Sequence, residues 1–286
     1  MFSKALVDWE KDLPGAWRII LDGVQLNFED RSFDCPTHPG EIIIPRRKRI
    51  AAPDSSQNAH IFRALEGIDP QDVRAVILGQ DPYPNPAWAT GRAFEQGNLS
   101  EWPENPKSIA ASLRRIVQVL AAARTGKAAY VSNDGGWKQL IRDMQDGMLD
   151  LEPPRKLFDH LSDEGVLLLN TSLTLAWIRK REDRSGVAGT FACGSLCFTA
   201  SSRSSLRDGR IMLCSCFGES MQTASLSAAA FATAKQAGTW GARLGVIRHA
   251  HPAAITLTGP GFLRLPNPFS SANKLLKQMG TRPIAW

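Results

Sequence analysis

The sequence has few cysteines and lacks the patterns that mark disulfide-bonded, zinc-binding or membrane-spanning chains. Its five cysteines are an odd number in 286 residues, and they form neither a CxxC pair nor Cys/His pairs at zinc-finger spacing. We therefore expect reduced thiols, no disulfide framework and no metal site. The longest apolar run, VLLLNTSLTLAWI (166–178), is too short and too polar to span a bilayer.

A targeting segment is not expected, because MFSKALVDWEKD (1–12) has no basic start followed by an apolar stretch. We expect a cytoplasmic monomer without membrane contact. The hydrophobic content of 43% is enough to build a core, and 286 residues suit one α/β unit with extensions. The net charge of +6 is compatible with a polyanionic partner, although many enzymes without one are equally basic.

Four short apolar runs predict the strands of one sheet. They are RAVILG (74–79), GVLLLNTSL (165–173), RIMLCSCFG (210–218) and LGVIRHAHP (244–252). Helical patterns at 106–124, 155–164 and 220–238 separate them, and this alternation is typical of a parallel sheet with helices on both faces. We expect a three-layer α/β/α fold with a central four-stranded parallel sheet.

The expected domain organisation is a single domain over 1–286. Residues 1–58 would form an N-terminal helix and a surface segment, whose basic cluster PRRKR (45–49) is either a phosphate contact or a solvated loop. The polar stretches 125–154 and 177–209 are predicted to be surface insertions.

Polar residues follow each of the four runs, where open α/β sheets bind their ligands. The first run is followed by Gln80, Asp81 and Tyr83, and the second ends with Asn170. The last two are followed by Ser220, and by His249 and His251. These residues are either parts of one site or unrelated capping groups at four strand ends.

The motifs at these positions resemble those of family-1 uracil-DNA glycosylases. GQDPYP (79–84), followed by GRAFE (91–95), is similar to the family's water-activating motif, and GVLLLNTSLTL (165–175) to its uracil-reading strand. HPAAIT (251–256) stands where the family has its minor-groove loop, and NPFSSANKLLKQMGTRPIAW (267–286) resembles its C-terminal helix and ending. IIIPRRKRIAAPDSSQNAHIFRALEGI (42–68) is similar to the family's entry segment, so the resemblance covers most of the chain in order.

The sequence also departs from the family pattern. Pro84 stands where many members have histidine, and the minor-groove loop has Ala253, Ala254 and Ile255 in place of serine, proline and leucine. We therefore expect an intact active centre with altered DNA-gripping loops.

The resemblance implies a monofunctional enzyme that hydrolyses the N-glycosidic bond of uracil without a metal or an organic cofactor. Asp81 would supply negative charge beside the cationic sugar and position the attacking water. His251 would donate a hydrogen bond, as a neutral imidazole, to O2 of the departing uracil. The backbone N–H groups of Gln80 and Asp81 would help to bind the same oxygen.

The resemblance also assigns substrate and DNA contacts. Asn170 would read uracil N3–H and O4, Tyr83 would exclude the thymine methyl, and Phe94 would stack on the base or simply pack in the core. Because the base must be flipped out of DNA, further residues would hold the bent strand. These DNA-binding candidates are Ser108 in PKSI (106–109), Ser220, Pro252 and the wedge residue Ile255.

The expected partners are uracil-containing DNA, single- or double-stranded, and free uracil as the product. Two other functions stay open on the sequence alone. One is a protein that holds uracil-containing or abasic DNA without turnover. The other is a glycosylase of broader base choice, since the altered loops leave damaged or deaminated bases open as substrates.

Overall fold

A computed structural model of the chain describes residues 7–22, 26–27, 41–50, 52, 54–178, 191–196, 210–214, 244–254, 261–264 and 266–286. The strands are listed in chain order: β1 Leu26–Asn27, β2 Glu41–Ile44, β3 Ala75–Gly79, β4 Val166–Asn170, β5 Ser172–Ile178, β6 Phe191–Leu196, β7 Arg210–Cys214 and β8 Leu244–Arg248. The α-helices are α1 Gly15–Ile20, α2 Ala111–Thr125, α3 Asn133–Gln145, α4 Pro154–Asp163 and α5 Pro268–Gln278.

Local sequence signals account for where several helices begin and end. The side chain of Asn267 accepts hydrogen bonds from Phe269 N and Ser270 N and so caps α5. The helix then starts with a proline, whose missing N–H is not needed there. At its other end, α2 stops at Gly126, which has φ +74° and donates its N–H to Ala122 O.

Two four-stranded sheets are present among the described residues. One has the order β1-β6-β5-β2, and its neighbouring strands are antiparallel. The other has the order β4-β3-β7-β8, in which β3 pairs parallel with β7 and β7 pairs parallel with β8. All five residues of β4, VLLLN, are buried, as in a strand covered on both faces.

The chain divides into two compact units. The first unit comprises Met1–Pro70, Gly79–Asn98 and Leu168–Thr199, and the second comprises Gln71–Leu78, Leu99–Leu167 and Ala200–Trp286. In the first, Ile44, Ala52 and Leu175 form a buried cluster. Burial of each large aliphatic side chain of this kind contributes about 1.5–3 kcal/mol.

Helices α2, α3 and α5 and the 3-10 turn Ala128–Val131 lie in the second unit, and each contributes buried side chains to it. Trp137 of α3 is fully buried and donates its Nε1–H to Pro103 O at 2.9 Å. Tyr130 is equally buried, and its hydroxyl donates to Asp143 Oδ2 at 2.5 Å. The polar ends of these rings thus have partners, and the rings themselves contribute apolar area.

Strands form within all four predicted runs, but one sequence interpretation needs correction. The run 165–173 is not one strand, because the chain turns at Thr171 between β4 and β5. The predicted surface insertion at 177–209 contains β6, which pairs with β5, and 125–154 contains the helix α3. In the two polar stretches, long-range pairing and burial of a few apolar residues favour regular structure despite the polar composition. The helix predicted at 220–238 lies outside the described residues.

Candidate active site

Hydrogen bonds attach the turn that begins at Gly79, the last residue of β3, to the segment joining β4 and β5. Thr171 N donates to Gly79 O at 3.0 Å, and Ser172 N donates to Gln80 O at 2.9 Å. The Thr171 hydroxyl adds a hydrogen bond to Gln80 O at 2.9 Å. The Gln80 side chain is exposed, so the contribution of Gln80 to this arrangement comes from its backbone.

Asp81 is a half-buried carboxylate in this turn. Burial raises its pKa, and a hydrogen bond from the Ser172 hydroxyl opposes that rise. Its Oδ1 is buried and accepts no hydrogen bond from the described residues. Pro82 and Pro84 restrict the backbone after it and provide no N–H. The carboxylate is therefore fixed in place with one oxygen able to accept a hydrogen bond from a water or a substrate.

Gly79 lies directly against the side chain of Asn170. A Cβ added at Gly79 would lie 2.2 Å from Asn170 Oδ1 and 3.0 Å from Ala93 Cβ, which are impossible or very tight contacts. Asn170 is buried, at 4% exposure, and ends β4. A buried amide at this point can make specific hydrogen bonds, because its donor and acceptor are held in one orientation.

Tyr83 and Phe94 are joined by a hydrogen bond and by local backbone geometry. The Tyr83 hydroxyl donates to Phe94 O at 3.3 Å. The ring centroids of Tyr83 and Trp88 are 5.9 Å apart, and the two ring planes are at 84° in an edge-to-face arrangement. Phe94 has φ +65°, a left-handed conformation that costs a residue other than glycine about 1–3 kcal/mol. Ala93 N donates to Leu168 O at 3.0 Å and helps to hold this backbone. Both rings are half-buried, so they can contact a ligand.

His251 lies three residues beyond β8, in a tight turn of the second unit. Ala253 N donates to His251 Nδ1 at 2.9 Å, and Ala254 N donates to His251 O at 2.9 Å. Because Nδ1 accepts a hydrogen bond, the neutral ring carries its proton on Nε2. Burial, and secondarily the positive charge of Arg115, lowers the pKa of His251 to about 4. The imidazole is therefore neutral at physiological pH.

The predicted DNA contacts are less completely described. Ser108 is exposed before α2, and its N–H donates to Asn105 O at 3.0 Å. Pro252 is buried next to His251. Ser220 and Ile255 lie outside the described residues.

Sequence reasoning missed three residues that contact predicted site residues or the turn that carries one of them. Ser172 bonds to Asp81, Trp88 packs on Tyr83, and Arg115 contacts the turn that carries His251. A serine at the start of an apolar strand is a weak signal. Arg115 left a clearer one, because an arginine next to the apolar residues Ile116 and Val117 of a helix needs a partner if it is buried.

The described part of the chain contains no group of three or more His, Cys, Asp or Glu residues arranged to hold a metal ion. Within the same residues, no helix has both the length and the apolar character needed to cross a membrane.

Comparison with curated proteins finds relatives named uracil-DNA glycosylase. One from Bordetella petrii is 32% identical over 173 residues, which are 57% of this chain and 49% of the relative. One from Alkaliphilus oremlandii is 28% identical over 249 residues, 86% of each chain. The chain thus matches about half the length of the Bordetella relative and most of the Alkaliphilus one. No protein-family model matches the chain.

Among solved structures, the chain is similar to a mutant of the UNG from Nitratifractor salsuginis. The TM-score is 0.51 at 20% identity, over 97% of this chain and 96% of that one. This likeness shows an α/β fold of the uracil-DNA glycosylase type.

Proposed function

We propose that this protein is a DNA repair glycosylase that flips uracil out of DNA and hydrolyses its N-glycosidic bond, leaving an abasic site. The observation that carries the proposal is the GQDPYP turn. It fixes the Asp81 carboxylate beside Ser172, and it places Gly79 against the amide of Asn170. An anionic group next to a base-reading amide is what cleavage of a uracil nucleoside requires.

Asp81 acts on the sugar. As the base departs, the anomeric carbon becomes cationic, and a buried carboxylate stabilises that charge more strongly than an exposed one because little solvent screens it. The open Oδ1 accepts a proton from the water that attacks this carbon. An electrostatic contribution of this kind is typically worth about 3–4 kcal/mol.

His251 acts on the base. Uracil leaves as an anion, whose negative charge is concentrated in part on O2. The Nε2–H of a neutral imidazole donates a hydrogen bond to this oxygen, and the low pKa of about 4 disfavours full proton transfer from solvent to the ring. The Ala253 hydrogen bond to Nδ1 keeps the required tautomer.

Asn170, Tyr83 and Phe94 select the base. The Asn170 amide accepts from uracil N3–H and donates to O4, whereas cytosine presents the opposite pattern and leaves both amide groups unpaired. Tyr83, braced by Trp88 and Phe94 O, stands against C5 and excludes the thymine methyl. The Phe94 ring stacks on the face of the base.

In this proposal, four residues contact the DNA strand around the flipped nucleotide: Ser108, Ser220, Pro252 and Ile255. The proposal also includes a single-domain, three-layer α/β/α arrangement with all four strands of the β4-β3-β7-β8 sheet parallel. It includes a monofunctional, monomeric, cytoplasmic enzyme that releases free uracil. The family resemblance of the motifs supports these assignments.

The experiment is a base-excision assay on oligonucleotides. Single- and double-stranded substrates carry one U, T, C or hypoxanthine, and the reaction contains EDTA and a fixed salt concentration. Alkali then cuts the strand at any abasic site. Cutting at U alone is the expected result. Tight binding of uracil DNA without cutting would favour the non-catalytic binding protein, and cutting at hypoxanthine as well would favour the broader glycosylase.

A further inference from the structure

Arg115 is an arginine buried within α2. Only 4% of it is exposed, and its neighbours along the helix, Ile116 and Val117, are buried apolar residues. A guanidinium is costly to bury unless its N–H groups find acceptors. Burial lowers the pKa of Arg115, but a guanidinium remains protonated in proteins. A fixed positive charge therefore lies inside the second unit.

The acceptors are two backbone carbonyls of the turn that carries His251. Arg115 Nη1 donates to Pro252 O at 2.7 Å and, more weakly, to Ala254 O at 3.4 Å. Both hydrogen bonds come from Nη1, whose two N–H groups can each serve one carbonyl. One side chain of α2 therefore fastens the backbone on both sides of residue 253.

The same turn sets the chemical state of the histidine. Ala253 N can donate to His251 Nδ1 only while the backbone keeps its present course between residues 252 and 254. That hydrogen bond places the ring proton on Nε2. A change in the course of the turn would remove the constraint on the tautomer and on the direction in which the ring points.

Electrostatics also favours the neutral form of His251. Besides burial, the charge of Arg115 is the influence that lowers the pKa of His251. Two further charged groups act on Arg115 itself: Arg114, the preceding residue of α2, and Asp134, which pairs with Arg114. Asp134 is half exposed, so water screens its influence.

We infer that Arg115 is a positioning residue for His251: it fastens the 251–254 turn and keeps the imidazole in the neutral, Nε2-protonated form. The inference rests on the proposed function for its effect on catalysis. Its structural content, the state of the ring, can be measured on the protein alone.

The test replaces Arg115 by methionine and by lysine. Titration of His251 by NMR, with ring nitrogen shifts to identify the tautomer, is done on the free protein. In Arg115→Met the His251 pKa should rise above about 4 but stay below its ordinary 6.5, because burial still lowers it, and the Nε2–H tautomer should lose its dominance. In Arg115→Lys the pKa should stay low, because the charge remains. Arg115→Gln replaces the methionine variant if that variant does not fold.

Activity gives the second measurement. In Arg115→Met, kcat on uracil DNA should fall by roughly 10²-fold, the typical cost of a catalytic group displaced by about 1 Å. The acid limb of the pH profile should move to higher pH, because a ring of higher pKa is protonated sooner as pH falls. Arg114→Gln is the matched control: it removes the same charge from the adjacent residue, which does not contact the turn.

An unchanged His251 pKa and tautomer in Arg115→Met would overturn the inference, as would an equal change in Arg114→Gln. A parent protein that does not cleave uracil DNA would instead overturn the proposed function. The NMR titration would still decide whether Arg115 controls the ring.

Discussion

The contact between Gly79 and Asn170 allows the pocket to be changed without changing a functional group. In Gly79→Ala the new Cβ would lie 2.2 Å from Asn170 Oδ1, whereas atoms in contact are usually separated by about 3.5 Å. Gly79 is not among the residues of positive φ, so alanine is compatible with its backbone. The amide at the end of the Asn170 side chain must therefore move by about 1 Å or more, while the fold is retained.

The substitution is expected to weaken recognition of the base by the Asn170 amide. A displacement of this size typically reduces activity by roughly 10²-fold, equivalent to about 2.7 kcal/mol of transition-state stabilisation. We therefore expect kcat/KM on a uracil oligonucleotide to fall by that factor, with little change in melting temperature. Gly15→Ala is the control, because a Cβ at Gly15 would have no neighbour within 4 Å.

A double-mutant cycle identifies the cause of the loss. If Gly79→Ala acts by displacing the amide, it should cost little more in an Asn170→Ala background, where there is no amide to displace. Activity of Gly79→Ala within twofold of the parent would refute the role of the amide. An equal loss in both backgrounds would show that the new methyl acts elsewhere, for example on Ala93.

Three further substitutions test other parts of the site. Ser172→Ala removes the hydrogen bond that opposes the raised pKa of Asp81, so the carboxylate should protonate at higher pH. The acid limb of the plot of kcat/KM against pH should then shift to higher pH. An unshifted limb would exclude an effect of Ser172 on the pKa of Asp81. Tyr83→Ala should excise thymine measurably, unlike the parent. Asn170→Asp should gain activity on cytosine; a folded protein inactive on that base would contradict the pocket assignment.

The sequence predicted features that depend on local patterns. The apolar run ending at Gly79 is β3, and the turn carrying Asp81 follows it as expected. The apolar run before Asn170 is likewise a buried strand, β4. Such runs predict strands because full burial requires continuous apolar side chains.

The features that were missed depend on contacts between distant residues. The antiparallel sheet requires β2 to pair with β5, with Ile44 opposite Leu175, and neither segment alone shows that it has a partner. Arg115 contacts a carbonyl 137 residues further along the chain. The hydrogen bond between Ser172 and Asp81 likewise depends on how two strand ends come together. A local pattern contains no information about these pairings.

The most direct test of the central claim is single-turnover excision of uracil by the parent and by Asp81→Asn. A labelled oligonucleotide with one uracil is incubated with excess protein at one salt concentration, and DNA binding is measured in parallel. We predict that the parent forms an abasic site and that Asp81→Asn binds DNA equally but reacts about 10²–10³-fold more slowly. A parent that leaves uracil in place, or a variant that reacts at the parent rate, would contradict the account.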